Sequence, residues 1–309
     1  MLISHKFAAG SSLAVRRDLA ENHARTVARS YLQGVAEAVG GVAQAKEEAW
    51  SYQTPRVKGE VASVALGLDG TCMLLCDEGW REAMTGTVSL YDGEGERQHT
   101  IYLGAPPEYG KGRFLARLER EIEQVRSLYP SATYVGVADG AQCNWDFLGA
   151  HTDEQILDFY HASGYVADAA KAAHPKDTAE RARWRHERCH ALKHKQGAAS
   201  RILKEMQALS ENPMSAERRE KLDAAITYFT NHKHQMHYSR YRKHHLPIGS
   251  GVTEAACKTL IKQRLCNSGM RWRDKGAGVV LSLRSLTLTP GRWQQFWEKI
   301  DQYGVPVIC

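Results

Sequence analysis

Hydrophobic residues recur at largely helical spacing along residues 12–50, and the period changes near residue 60. In the first stretch Leu13, Leu19, Val27 and Tyr31 follow this spacing. Two glycines at positions 40 and 41 are expected to interrupt the pattern, because glycine is a poor helix former. This stretch is therefore predicted to form two or three short helices.

Short apolar runs with polar separators follow from residue 60. The runs are VASVALGLD, TCMLLCD, TGTVSLYD and RQHTIYLG, and the separators include DEGWREA and DGEGE. Runs of this length bounded by Gly, Asp and Glu are typical of strands joined by turns. The pattern predicts a meander of three or four antiparallel strands.

Helical and strand-like patterns then alternate. Phe114, Leu118 and Ile122 share a helix face that Pro130 should end. TYVGVADGA is predicted as a buried strand and ILDFYHA as another, before the alanine-rich helix YVADAAKAAH. A meander, a helix, and then strands alternating with helices is the order of a mixed α/β sheet flanked by helices, of the ribonuclease H kind.

Two aspartates follow apolar runs of this predicted sheet. Asp69 lies in GLDGT and Asp139 in VADGA, and each is followed by glycine. Ligands of α/β sheets gather where neighbouring strands end, so both carboxylates could project there. The alternative for either aspartate alone is a turn former. The same ending on two strands favours a shared site.

A third acidic residue begins a later helix. Pro247 and the flanking glycines break the chain, and Ser250 is a candidate N-cap for TEAACKTLIKQRL. Glu254, Lys258 and Lys262 recur every four residues and would form one ridge. The ridge is either an exposed Glu-to-Lys pair or a metal-binding carboxylate beside two phosphate-binding lysines.

Composition excludes a membrane protein and locates the positive charge. The 309 residues have a mean hydropathy of −0.47 and contain no run long enough to span a membrane. The odd number of cysteines, seven, favours reduced thiols in a cytosol. Residues 175–245 hold 16 Lys or Arg against 8 Asp or Glu, whereas the whole chain has a net charge of only +6. The block is either a solvated helical face or a surface for a polyanion such as nucleic acid.

The motifs GLDGT, VADGA, ILDFYHA and LPIGSGVTEAACKTLIKQRLCNSGMRW resemble the transposases of bacterial insertion sequences in the ISKra group. The resemblance runs from about residue 61 to residue 297 and implies a DDE catalytic domain. It implies that Asp69, Asp139 and Glu254 are the catalytic residues and the metal ligands. It further implies two ions of Mg²⁺ or Mn²⁺ as cofactor, double-stranded DNA (transposon ends and target) as partner, a homo-oligomer in the DNA complex, and a place in the bacterial nucleoid.

Chemistry explains these residue types. Paired divalent ions activate water and stabilise the departing 3′ oxygen of a phosphodiester, and hard cations prefer oxygen ligands. The freed 3′ hydroxyl can then attack a target phosphate, which is strand transfer. Glycines at positions 70 and 140 are expected to leave space for the DNA backbone.

Two rival functions remain open at this stage. One is a ribonuclease H-like nuclease that only hydrolyses, and the other is a non-catalytic, transposase-derived DNA-binding protein. Relatives usually have a longer N-terminal part, so it is open whether transposition is autonomous.

Weaker signals complete the candidate site. His161, in FYHA, is either near the metals or a packed or capping residue. His186, His190 and His194 beside Cys189 have a spacing compatible with zinc, but no partner pair with a recognised spacing accompanies them. The residues expected to contact DNA are basic or aromatic: Arg181, Arg185, Lys258, Lys262, Arg264, Arg271, Trp272 and Arg273. The alternative for Trp272 is an anchor in the core.

Four segments are predicted from these patterns. They are an N-terminal helical segment at 1–58, the first part of a ribonuclease H-like core at 59–174, a basic helical insertion at 175–247, and the completion of the core at 248–309.

Overall fold

The protein is described over residues 1–304 by a computed structural model, so the last five residues of the predicted 248–309 segment lie outside the described residues. The helices before the basic segment are α1 Leu2–Ala9, α2 Ser12–His23, α3 Arg29–Lys46, α4 Lys111–Leu128, α5 Gln142–His151 and α6 Phe159–Ala173. Those that follow are α7 Thr178–His194, α8 Ala198–Ser210, α9 Ala216–His232, α10 Tyr238–Lys243, α11 Gly251–Ala256, α12 Gln263–Leu265, α13 Asp274–Leu288 and α14 Arg292–Tyr303. A π-helical segment, Cys257–Lys262, joins α11 to α12.

Five strands form a mixed sheet of order β3-β2-β1-β4-β5, and helices flank it. The strands are β1 Ser63–Leu75, β2 Gly79–Tyr91, β3 Arg97–Ala105, β4 Thr133–Ala138 and β5 Glu154–Leu157. The predicted α/β class is confirmed, and the meander has three strands. VASVALGLD and TCMLLCD are one strand rather than two, because β1 pairs with β2 without interruption from Ser63↔Tyr91 to Leu75↔Gly79.

The described residues divide into two compact units. The first comprises residues 1–92, 97–132 and 251–304, and the second comprises residues 93–96 and 133–250. The predicted N-terminal segment is thus part of the first unit. The predicted helical insertion shares the second unit with β4 and β5.

Helix α13 is the centre of the first unit, since most of its residues are buried. Helices α1 and α3 pack against it, and its other side contacts β3. The glycines at 40 and 41 do not break α3, contrary to the prediction. A Cβ at Gly40 would lie 2.5 Å from Val279 Cγ1, so glycine allows α3 and α13 to approach closely.

The N-terminal helices form as predicted, but two residues of the predicted apolar pattern do not face the core. Leu13 and Tyr31 are exposed, while Val15 and Leu32 are buried in the core shared with α13. Packing against a distant helix therefore selects the buried face.

Two buried ion pairs, Glu47 with Arg117 and Glu121 with Arg292, lie in the same unit. The first pair joins α4 to the residue after α3.

In the second unit, β4 and β5 are parallel and α6 packs against α7 and α9. The prediction that ILDFYHA is one strand is wrong. The strand ends at Leu157, and Phe159 begins α6. Asp158 causes the change, because its side chain accepts a hydrogen bond from the main-chain N–H of His161 and so caps the helix. The basic segment is helical, as predicted.

None of the helices among residues 1–304 combines the length and the apolar character needed to cross a membrane.

Candidate functional site

Asp69 lies in the middle of β1, not at the end of a strand as predicted. It is paired with Thr85 across the antiparallel ladder and is half-buried. Its Oδ1 accepts a hydrogen bond of 2.7 Å from the main-chain N–H of Gly70. The strand continues through this position because β2 supplies pairing partners on both sides of it. A carboxylate inside a continuous strand is held by a rigid backbone rather than by a turn.

Helix α11 covers the face of the sheet on which Asp69 lies. The Thr253 hydroxyl is 2.8 Å from the Thr87 hydroxyl, and Thr87 is paired with Gly67. A Cβ at Gly67 would lie only 1.9 Å from Thr253 Oγ1. Gly67 and Asp69 point to the same face, since they are two residues apart in a strand. Gly67 therefore allows the first turn of α11 to contact the sheet next to Asp69.

Cys257 provides a second contact between this helix and Asp69. Its thiol donates a hydrogen bond to Asp69 Oδ2 across 3.3 Å, and the hydroxyls of Thr71 and Thr85 lie beside the same sulfur. Burial raises the pKa of Cys257 to about 11, so the thiol keeps its proton at neutral pH. Sequence analysis did not identify this residue, because nothing local distinguishes a thiol that contacts a strand nearly 190 positions earlier.

Glu254 lies between these two contacts. It follows Thr253 directly and precedes Cys257 by three residues, a separation at which helical side chains are neighbours. Its side chain is exposed. The flanking contacts thus bring the turn that carries Glu254 against the part of β1 that carries Asp69.

The ridge predicted for Glu254, Lys258 and Lys262 does not keep its helical register. A π-helix spans Cys257–Lys262, and its i→i+5 bonds rotate successive residues by less than an α-helix does. Both lysines are exposed.

A buried arginine binds carbonyls of the π-helix. The Arg284 guanidinium donates to the carbonyl of Leu260 at 2.9 Å and to the carbonyls of Thr259 and Ala8. A side chain that inserts into a helical ladder in this way takes up carbonyls that the i→i−4 pattern would use. Burial lowers the pKa of Arg284.

In the second unit, Asp139 directly follows β4, as predicted. Its Oδ1 accepts the main-chain N–H of Ala141 at 3.2 Å, which is an Asx-type turn. Gly140 has a φ of +115°, and a Cβ there would lie 3.2 Å from both His232 Nε2 and Tyr228 Cε2. Glycine at 140 is thus explained by its backbone conformation and by contact with α9. At position 70 a Cβ would meet the Glu82 carboxylate, at 2.2 Å from Oε1. The positive φ of Gly140 thus has a structural reason, whereas the exposed Glu82 side chain can move away from a Cβ at position 70.

Asp158 is a buried acid that sequence analysis did not name, and it joins two parts of the second unit. Its Oδ1 accepts the His161 main-chain N–H at 2.8 Å, and its Oδ2 accepts the main-chain N–H and the hydroxyl of Ser250, each at 2.5 Å. Burial alone would raise the pKa of Asp158, but the hydrogen bonds from His161 and Ser250 outweigh it and lower the pKa to about 2. An Asp before a helical stretch was the available signal.

His161 lies in the first turn of α6, next to Asp158. Its Nδ1 is 3.5 Å from Asp158 Oδ1, and its side chain is 46% exposed. The main-chain N–H of His161 takes part in the helix cap, which agrees with the capping alternative for this residue. The imidazole itself faces solvent in part and remains a candidate near-site group.

The predicted DNA contacts differ in their accessibility. Arg264 is 4% exposed, its guanidinium lies over the rings of Phe7 and Trp272, and burial lowers its pKa to about 10. Trp272 donates its indole N–H to the Leu265 carbonyl and packs on the core. These residues build the first unit, in agreement with the alternative that Trp272 is a core anchor. Arg271 and Arg273 are exposed beside them.

On α7, Arg181 and Arg185 also differ. Arg181 donates to the carbonyls of His174 and Pro175, and so it closes the C-terminal end of α6. Arg185 is exposed. The structure describes all of α7, and Leu192 is its one buried residue. Most of the helix is therefore exposed to solvent.

The histidines of α7 stack rather than converge on a zinc-sized point. The ring centroids of His190 and His194 are 4.5 Å apart, and those of His186 and His190 are 6.4 Å apart. The Arg242 guanidinium lies 2.7 Å from His194 Nδ1 and 3.3 Å from its Nε2, so a positive charge lies beside both nitrogens that can bind a metal. Burial raises the pKa of the Cys189 thiol, which opposes metal binding.

Comparison with protein-family models and with curated proteins finds no match to this chain.

Proposed function

We propose that this protein is a DNA transposase of a DDE type, which cleaves phosphodiester bonds at transposon ends and joins them to target DNA. The observation that carries the proposal is the contact of α11 with β1. Thr253 contacts the strand face beside Asp69 and Cys257 contacts the Asp69 carboxylate, so the helical turn that carries Glu254 packs next to this part of β1 in the first unit. The mixed sheet with three antiparallel strands before a parallel pair supports a ribonuclease H-like fold.

The donor set suits a hard divalent cation. Asp69, Asp139 and Glu254 offer carboxylate oxygens, the ligands that Mg²⁺ and Mn²⁺ prefer. The Thr85 hydroxyl, opposite Asp69, is fully buried and lies beside the Cys257 sulfur, so this side of the carboxylate is lined by polar groups. When bound, paired ions would activate water and stabilise the leaving 3′ oxygen.

The chain's own residues supply position and charge. The Gly70 N–H and the Cys257 thiol each leave a second lone pair on the Asp69 oxygen that they contact, so the carboxylate can still bind a cation. The exposed Lys258, Lys262, Arg271 and Arg273 can bind phosphates of double-stranded DNA. In the same proposal the protein acts as a homo-oligomer on DNA in the bacterial nucleoid.

The experiment incubates the protein and Mg²⁺ with labelled DNA that carries its own genomic flanks, and maps the cut ends. We expect Asp69→Asn, Asp139→Asn and Glu254→Gln to bind this DNA as well as the parent does, and to cut it slower by orders of magnitude. Glu298→Gln, an exposed carboxylate on α14, is the matched control and should cut normally. Parental cutting by Glu254→Gln would refute its assignment.

Product analysis separates the rival functions. A transposase gives products in which the cut 3′ end is covalently joined to a second DNA molecule. Cut ends that are never joined would indicate a nuclease that only hydrolyses. DNA binding without cutting in any divalent metal would indicate a non-catalytic DNA-binding protein.

A further inference from the structure

Each oxygen of the Asp69 carboxylate has its own donor. Gly70 N–H contacts Oδ1 at 2.7 Å and the Cys257 thiol contacts Oδ2 at 3.3 Å. The terminal torsion of an aspartate is broad, so a free carboxylate samples many orientations. Two donors from opposite sides select one of them. The Gly70 contact is local, whereas the Cys257 contact comes from the helix that carries Glu254.

Cys257 lies where the helix changes from α-helical to π-helical geometry. Cys257 is 4% exposed and begins the π-helical segment. Arg284 takes up two carbonyls of that segment, those of Thr259 and Leu260. Wide turns of this kind inside α-helices are frequent at functional sites. The helix therefore departs from regular geometry from the residue that contacts Asp69 onward.

We infer that Cys257 is a positioning residue, whose thiol holds the Asp69 carboxylate in the orientation that receives a divalent cation. The inference rests on the proposed function for the assignment of Asp69 as a ligand. Groups that hydrogen-bond a metal ligand fix its orientation, and their loss typically lowers metal affinity by about 10- to 100-fold. A thiol suits a buried position on an apolar helix face, because it packs as a small hydrophobic group and still donates weakly.

The test measures Mn²⁺ affinity of the free full-length protein, by the electron paramagnetic resonance signal of unbound Mn²⁺. Cys257→Ala should weaken the binding that depends on Asp69 by about tenfold. Cys257→Val fills the space without a donor and should be equally weak. Cys257→Ser retains a donor and should keep most of the affinity. The control is Cys266→Ala, which removes a partly buried thiol that contacts the Cys72 carbonyl at 3.7 Å, and it should bind as the parent does.

Cleavage kinetics give a second readout. Loss of positioning should raise the Mn²⁺ concentration needed for half-maximal cleavage, and saturating Mn²⁺ should restore most of the rate. Thermal melting of each variant verifies that it folds.

The outcomes separate the inference from the function on which it rests. Parental Mn²⁺ affinity in Cys257→Ala, with weakened affinity in Asp69→Asn, overturns the inference and leaves the proposed function standing. Equal weakening by Cys257→Ser and Cys257→Val also overturns it, since the donor would then not matter. Parental Mn²⁺ affinity in Asp69→Asn overturns the proposed function itself.

Discussion

Tyr228 donates a hydrogen bond from its phenolic hydroxyl to the main-chain carbonyl of Asp139 across 2.6 Å. The ring of Tyr228 stacks on Tyr165, with centroids 4.0 Å apart, so the hydroxyl is held by packing between α9 and α6. A residue of the basic helical segment thereby fixes the turn that follows β4. The segment has a structural role at a candidate catalytic residue, in addition to any role in DNA binding.

The first prediction concerns this hydrogen bond. Tyr228→Phe keeps the stacking but leaves the Asp139 carbonyl without its donor, which should lower the free energy of unfolding by about 1 kcal/mol. We expect faster hydrogen exchange at residues 139–141 and slower DNA cleavage, because the turn would fluctuate. Tyr165→Phe keeps the other ring of the stack and is the matched control. Equal exchange in parent and Tyr228→Phe would contradict the prediction.

The second prediction concerns acid stability. The pKa of Asp158 is lowered from 3.8 to about 2, so its ionised form stabilises the folded state above pH 4. This contribution, on the order of 2 kcal/mol, is lost as the pH falls from about 4 to 2. Asp158→Asn should therefore be less stable than the parent at pH 7, and the difference should shrink toward pH 2.

Urea unfolding at a series of pH values measures this difference. Asp168→Asn, a partly exposed acid on the same helix that pairs with Lys171, should lower the stability only slightly. A difference for Asp158→Asn that does not depend on pH would show that its carboxylate has an ordinary pKa.

The third prediction concerns Arg284. Removal of its guanidinium leaves buried carbonyls of Thr259, Leu260 and Ala8 without their donor, at a cost of about 1 to 3 kcal/mol for each unsatisfied group. Arg284→Lys cannot reach all three, so it should melt at a clearly lower temperature. Arg273→Lys, an exposed arginine of the same unit, should melt as the parent does. If Arg284→Lys folds normally and still cuts DNA at the parental rate, the π-helix does not depend on this arginine.

The fourth prediction separates two arginines of α7. Arg185 is exposed, whereas the guanidinium of Arg181 is engaged by the His174 and Pro175 carbonyls. If α7 contacts DNA, Arg185→Gln should reduce the slope of log affinity against log salt by about 0.9. Arg181→Gln should lower the melting temperature and change the slope less. A slope that Arg185→Gln leaves unchanged would place this side chain away from the phosphates.

Local patterns determined most of the elements. The periodicity of GRFLARLEREIEQVRSL and the proline at 130 predicted α4, and the apolar run before Asp139 predicted β4. These signals act over a few residues, because helix and strand periods place side chains on one face irrespective of the rest of the chain. The order of the elements likewise predicted a mixed α/β sheet.

Only the tertiary structure decided how the candidate site is built. The sequence placed Asp69 at a strand end, but β2 pairs with the residues on both sides of it. Thr253 packs against Gly67, Arg284 binds carbonyls of the π-helix, and the Cys257 thiol donates to the Asp69 carboxylate. No local pattern in the sequence identifies these partners. Hydrogen bonds and close packing between distant residues depend on which groups meet after folding, so the local pattern of hydrophobic and polar residues does not predict them.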